Sequence, residues 1–312
     1  YGLNDHPYHH AAIYFIGTAV HVLFGTFWDL STQPLNTSDL FLKKTNFKIV
    51  SLDNYSTGNK KNHIKSKRVT YLNGNTINIS KLLVKYKKKI HTIFHFAEFS
   101  RIYQSFLKMD ECINSNTIGS HAVFNFCLSN KIKLVYSATS ASIGNNGKDK
   151  NLSPYAFTKA KNLEMLENLK KWFNFKYEII YFYNVYGPNQ INTGNMATVI
   201  GIFQKQYMEN IPLTVVKPGT QSRRFTHIDD TVKACYYAWK QNKCRHYSIS
   251  NKKSFTIVEV AKMFGSKVKF LPARAGERYA SALTNINLSN KVYKLFGSIH
   301  LSDYIRNIIK NS

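Results

Sequence analysis

The chain has 312 residues, 44% of them hydrophobic, which is enough for one large domain or two modest ones sharing a cleft. Its 43 basic and 17 acidic residues give a net charge of +26. The lysines are dispersed, however, and no helix-turn-helix, RNA-binding or zinc-finger pattern accompanies them, so no specific nucleic-acid function is expected. The lysine excess travels with abundant Asn, Ile, Phe and Tyr, all with AT-rich codons, and reads as codon bias; a basic surface still attracts anionic ligands. Cys112, Cys127, Cys235 and Cys244 form no Cys-x-x-Cys pair, which argues against a zinc site or a disulfide framework and for free thiols in a reducing cytoplasm. The eleven histidines include no His-Glu-x-x-His motif, and no metal is expected.

The chain opens on Tyr1 rather than Met, which leaves its true start open. The apolar run from Ala11 to Trp28 is borderline in length for a membrane span. Its glycines and His21 count against one, and no signal-peptide cleavage pattern follows, so no membrane association is expected. Lys48 to Asn54 is a strand ending in an acid, followed by the turn Tyr55-Ser56-Thr57-Gly58. In a dinucleotide-binding unit such an acid accepts hydrogen bonds from the adenosine ribose, and Asp53 would repel a 2′-phosphate, which favours NAD over NADP. Val69 to Leu72 reads as the next strand and ends Asn73-Gly74-Asn75; Thr92 to Glu98 and Asn116-Thr117-Ile118-Gly119-Ser120 follow.

Lys133 to Ser140 is an apolar run ending in small hydroxyl residues, a buried strand whose C-terminal end opens onto a site. Ser153 then caps, and Pro154 starts, a helix carrying Tyr155 and Lys159. Four residues apart, the two sit one above the other on one helix face. An ammonium beside a phenol favours the phenolate, making a tyrosine that acts as a base near neutral pH. Tyr177 to Tyr183 is strand-like and closes on Asn184-Val185-Tyr186-Gly187-Pro188. Two basic motifs come later: Ser222-Arg223-Arg224-Phe225 and Pro272-Ala273-Arg274-Ala275-Gly276.

This order of motifs resembles the extended short-chain dehydrogenase/reductase family from about Leu40 to the C-terminus, and within it the NAD-dependent nucleotide-sugar epimerases such as UDP-glucose 4-epimerase. The resemblance implies an α/β, Rossmann-like doubly wound parallel sheet with a smaller C-terminal α/β substrate lobe. The boundaries expected are 1–187 for the NAD domain and 188–312 for the lobe, with part of 223–250 packing back on the NAD domain. It implies Thr139, Tyr155 and Lys159 as catalytic residues. Asp53, Asn54, Asn75, Phe96, Ala97, Asn116 and Phe182, with Tyr155 and Lys159, would hold NAD; Thr139, Asn184, Arg223 and Arg274 would hold a UDP-sugar or related nucleotide sugar. The family also implies a homodimer. Arginine suits the diphosphate because its guanidinium forks onto phosphate oxygens.

Four positions depart from the family pattern. Asn75 stands where an Asp is usual, Glu98 where a small residue lets the cofactor approach, and Arg224 where an Asp is usual. No glycine-rich phosphate loop is recognisable in 1–36, where Leu23 to Leu30 carries one glycine and Trp28. Because the resemblance begins abruptly near Leu40, part of the preceding segment is expected to be translated out of frame. Epimerisation is the leading reading. A non-catalytic or damaged member with impaired NAD binding is the alternative, and a nucleotide-sugar dehydratase or decarboxylase ranks below it: Ser140-Ala141 after Thr139 supplies no carboxylate.

Overall fold

A computed structural model describes residues 12–16, 37–56, 60–188, 190–243, 245–276 and 292–312, with only the backbone of the first stretch. Eight strands form its main sheet: β1 (Ala12–Ile16), β2 (Lys48–Asp53), β3 (Val69–Asn73), β4 (Ile90–His95), β5 (Lys133–Thr139), β6 (Tyr177–Phe182), β7 (His246–Ser250) and β8 (Val292–Phe296). Their spatial order is β8-β7-β6-β5-β4-β1-β2-β3, and every neighbouring pair is parallel. The chain runs outward from β1 to β3 and returns to start again at β4. The direction of winding therefore reverses between β1 and β4, where α/β sheets open a binding crevice at their C-terminal strand ends.

Residues buried on both faces make the middle strands. β5 is buried at all seven positions, the continuous pattern expected of a strand covered by helices on both sides. Successive side chains point to opposite faces. Leu134, Tyr136, Ile179 and Tyr181 join one core with Phe124 and Cys127 of helix Ser120–Ser129 and Leu166 of helix Pro154–Phe173. Val135 and Ile180 join the other, with Phe41 of helix Thr37–Lys44 and Cys235 and Ala238 of helix Ile228–Gln241. The α/β doubly wound architecture is as the sequence leads one to expect.

The apolar run before Trp28 contributes β1, seated between β2 and β4 in the middle of the sheet. The sequence reading does not single out this strand. Residues 17–36, where the phosphate loop and the change of frame are expected, lie outside the described residues. Among the described residues no helix is long and apolar enough to cross a membrane.

A smaller core gathers Tyr186, Phe203, Val215, Phe225, Val260 and Ile305 beside the sheet, around the parallel pair Leu213–Val216 and Val268–Leu271. The later half of the chain also feeds the main sheet, through β7 on β6 and β8 on β7. β8 falls outside the 223–250 stretch expected to pack back.

Candidate active site

Two adjoining cavities open at the C-terminal ends of the strands. The larger, about 600 Å³, lies over β2, β3 and β4; the other, about 420 Å³, lies over β4, β5 and β6 and reaches the smaller lobe. Of the residues singled out from sequence, Asp53, Asn54, Asn75 and Ala97 line the first. Phe96, Thr139, Tyr155, Lys159 and Phe182 line the second, as do Asn184, Arg223 and Arg274. Asn116 lines neither. Its amide is spent inside the fold: Oδ1 accepts from the Phe99 N–H at 2.6 Å, and Nδ2 donates to the Phe99 carbonyl at 3.0 Å and to Thr158 Oγ1 at 3.2 Å.

Asp53 closes β2, is buried, and accepts the Tyr55 N–H at 2.8 Å. A carboxylate at a strand end beside the reversal of winding suits the ribose hydroxyls of a dinucleotide. Asn54 folds back on the Ser56 N–H at 3.0 Å. Asn75 caps a short 3₁₀ turn, its Oδ1 accepting from Ile77 N at 3.0 Å. The chemistry of this donor and acceptor set fits the adenosine end of NAD.

The second cavity carries the candidate chemistry. Thr139 ends β5 and caps the next turn, its Oγ1 accepting from Ala141 N at 3.2 Å. Ser153 caps the long helix with Oγ on Ala156 N at 3.1 Å, and Pro154 fills its first turn. That start aims Tyr155 and Lys159 at the cavity. Arg274 lies 5.5 Å from the Tyr103 ring centre, and the Asn184 amide fixes the Arg224 carbonyl at 2.9 Å.

Lys159 is 4% exposed and Glu98 2%. The Lys159 ammonium is ion-paired to Glu98 Oε2, donates to the Ser137 carbonyl, and sits 4.6 Å from the Tyr136 ring centre. The other carboxylate oxygen accepts from Ser120 Oγ at 2.7 Å, Tyr136 OH at 2.8 Å and Asn162 Nδ2 at 3.0 Å. Burial pulls the Lys159 pKa down, against the opposing pull of Glu98. Tyr136, buried beside the same carboxylate, is pushed well up. Ser120 gives its one hydroxyl hydrogen to Glu98 and so accepts from His95 Nε2 at 2.9 Å, which fixes the tautomer of that imidazole. Burial lowers the His95 pKa to about 4.

Sequence reasoning flags Glu98 as a departure but misses its role, misses Tyr136, Ser137 and Asn162 as part of its network with Lys159, and misses Arg101 in the cavity wall. Asn162, three residues past Lys159 on one helix face, carried a usable signal. Arg101 lines the second cavity, its guanidinium on the Met196 carbonyl at 3.1 and 2.5 Å and on the Ser100 carbonyl at 3.0 Å. Among the described residues it makes no ion pair, and none groups into a possible metal site.

A parallel sheet with paired cavities at its reversal point, one ending in a ribose-type carboxylate and one in a Thr, Tyr and Lys set, defines a Rossmann-type enzyme class. Residues 36–250 match the NAD dependent epimerase/dehydratase family, and the chain belongs to it. It is 28% identical over 187 residues to an uncharacterized UDP-glucose epimerase, YtcB, of Bacillus subtilis, covering 56% of each chain. It is 29% identical over 134 residues to an ADP-L-glycero-D-manno-heptose-6-epimerase of Fusobacterium nucleatum, covering 37% of this chain and 40% of that one. These matches span about half the length of the curated relatives. Among solved structures, the UDP-glucose 4-epimerase of Thermotoga maritima with UDP-glucose superposes with a TM-score of 0.78 at 18% identity, over 96% of this chain and 97% of that one. The UDP-glucuronic acid 4-epimerase of Bacillus cereus, in complex with UDP-glucuronic acid and NAD, gives 0.76 at 22%, over 96% and 99%. At these identities the likeness is one of fold.

Proposed function

We propose that the protein is an NAD-dependent nucleotide-sugar 4-epimerase acting on a UDP-hexose or a close relative. The observation that carries this reading is the convergence of Thr139, Tyr155 and Lys159 with Arg223 and Arg274 around one cavity. Asp53, with Asn54, Asn75 and Ala97, would hold NAD, which when bound supplies the redox chemistry at sugar C4. Tyr155, as phenolate, takes the proton of the sugar 4-hydroxyl and returns it after the sugar has turned over. Thr139 donates to the same oxygen. Lys159 keeps a positive charge below the phenol. Arg223 and Arg274 bind the diphosphate, and Arg101 adds a third guanidinium to the cavity wall.

Dehydration at C5 and C6 needs a further acid and base. The sole carboxylate among the described residues lining this cavity is Glu98, and its oxygens already take Lys159 and three hydrogen bonds. That supports epimerisation over dehydration. A homodimer is supported by exposed apolar side chains on two touching elements: Met109 and Ile113 on Met109–Ile113, and Phe157 and Met165 on the long helix. Cys112, Cys127 and Cys235 are free and buried, which supports a cytoplasmic setting. The test is proton NMR of UDP-glucose, UDP-galactose and their N-acetyl and uronic forms incubated with the protein and NAD. Inversion at C4 in one pair is expected; a 4-keto-6-deoxy product, or no change in any of them, would overturn the assignment.

A further inference from the structure

We propose that Glu98 is a positioning residue that takes the Lys159 ammonium for itself and thereby makes NAD a weakly held, exchangeable cofactor of this chain. The inference rests on the reading of the cofactor path given above, in which the dinucleotide runs from Asp53 to Lys159. Glu98 lies on that path: it is one of the few residues lining both cavities, at their junction.

Three features carry the inference. An ammonium has three N–H donors. At Lys159 they meet the Glu98 carboxylate, the Ser137 carbonyl and the face of the Tyr136 ring, so binding a ribose hydroxyl means giving one of them up. The carboxylate is also hard to displace. Ser120, Tyr136 and Asn162 hold its far oxygen, and Asn162 is itself pinned by the Asn116 carbonyl at 2.6 Å. Pulling Lys159 away would strand a buried anion among groups that can only solvate it in part. Finally, Glu98 places a carboxylate at the junction of the two cavities, where any part of its charge that Lys159 does not offset repels an anionic ligand across a poorly screened interior. The neighbouring imidazole of His95 offers no compensating charge, because burial keeps it neutral at physiological pH.

The pair therefore serves Tyr155 and opposes NAD at once. It offsets part of the pull of burial on the Lys159 amine, and it occupies N–H donors that a ribose hydroxyl would need.

The experiment is calorimetric titration of NAD at pH 7, without any sugar nucleotide, into wild type and Glu98→Gln. The amide keeps the size of the side chain and removes the charge. Binding by Glu98→Gln at least about tenfold tighter than wild type is expected, the scale of one unit-charge contact in a protein interior. A residue that only braces the fold would loosen NAD when changed. Should Glu98→Gln fail to fold, Glu98→Ala/Ser120→Ala/Tyr136→Phe removes the carboxylate together with two of its donors, so that no hydroxyl is left buried without a partner; the same gain is expected there. Affinity equal to or weaker than wild type in the folded variants, or no NAD binding by any of them, overturns the proposal. Because no sugar is present, a wrong choice of sugar reaction leaves the NAD comparison intact, and a failure of the Glu98 proposal leaves the sugar assay to be read by itself.

Discussion

Around Thr139 and Tyr155, the backbone is set chiefly by side-chain caps two or three residues apart in sequence, Thr139 on Ala141 and Ser153 on Ala156, with one long-range tie, the Tyr155 N–H donating to Ser105 Oγ at 3.2 Å. Around Glu98 the cleft is held by contacts reaching from 22 to 64 residues along the chain, to Ser120, Tyr136, Lys159 and Asn162. The first region aims reactive groups with its own backbone and can lose one without disturbing the fold. The second is a buried polar network whose members depend on one another, so each change there registers in stability as well as in function.

The sharpest way to separate the two regions is Tyr155→Phe. Loss of the phenol should cut turnover by at least about a thousandfold, the upper range of general-base contributions, while the melting temperature and UDP affinity stay near wild type. A variant that turns over as fast as wild type would break the assignment of Tyr155. Lys159→Ala strikes the second region. Leaving Glu98 buried without its cation should cost about 3–5 kcal/mol in urea unfolding; a loss under about 1 kcal/mol would mean that the pair is not integral to the fold.

His95 gives the second region a pH signature. The imidazole takes its proton near pH 4 when folded and near 6.5 in an unfolded chain. Between those values the unfolded state binds more protons, so this contribution is complete above about pH 6.5 and drains away as pH falls toward 4. The shift corresponds to about 3 kcal/mol. His95→Gln, whose amide can still donate to Ser120, should show a correspondingly shallower loss of stability between pH 6.5 and 4.5, and parallel curves would refute the role given to His95. The smallest effects belong to the diphosphate contacts. Arg223→Ala and Arg274→Ala should each weaken UDP binding by about 1.5–3 kcal/mol by calorimetry, with folding untouched. Unchanged UDP affinity in both would mean that the motif match misassigns them.

How much of this was legible in the sequence follows the same division. Ser153-Pro154-Tyr155 and the hydroxyl end of β5 announce themselves because capping and strand burial are short-range rules. Asp53 at the end of β2 is legible for the same reason. The strand Ala12–Ile16 was hidden inside a longer apolar run, since hydrophobicity alone does not say which five residues will pair with β2 and β4. Asn116 matches a family motif, yet its amide turns to the Phe99 backbone, a choice set by tertiary packing. Glu98 was visible only as an anomaly, because its four partners come from three other elements and no local pattern links them.

The central claim is inversion at C4 at the Thr139, Tyr155 and Lys159 site. Its most direct test is proton and deuterium NMR of UDP-glucose and its N-acetyl and uronic forms, each carrying deuterium at C4, incubated in ordinary water with the protein and NAD. The account predicts that one of them gives its C4 epimer with the deuterium kept at C4 and no label lost to solvent. Washout of the label, or a product altered at C5 or C6 with C4 uninverted, would contradict it.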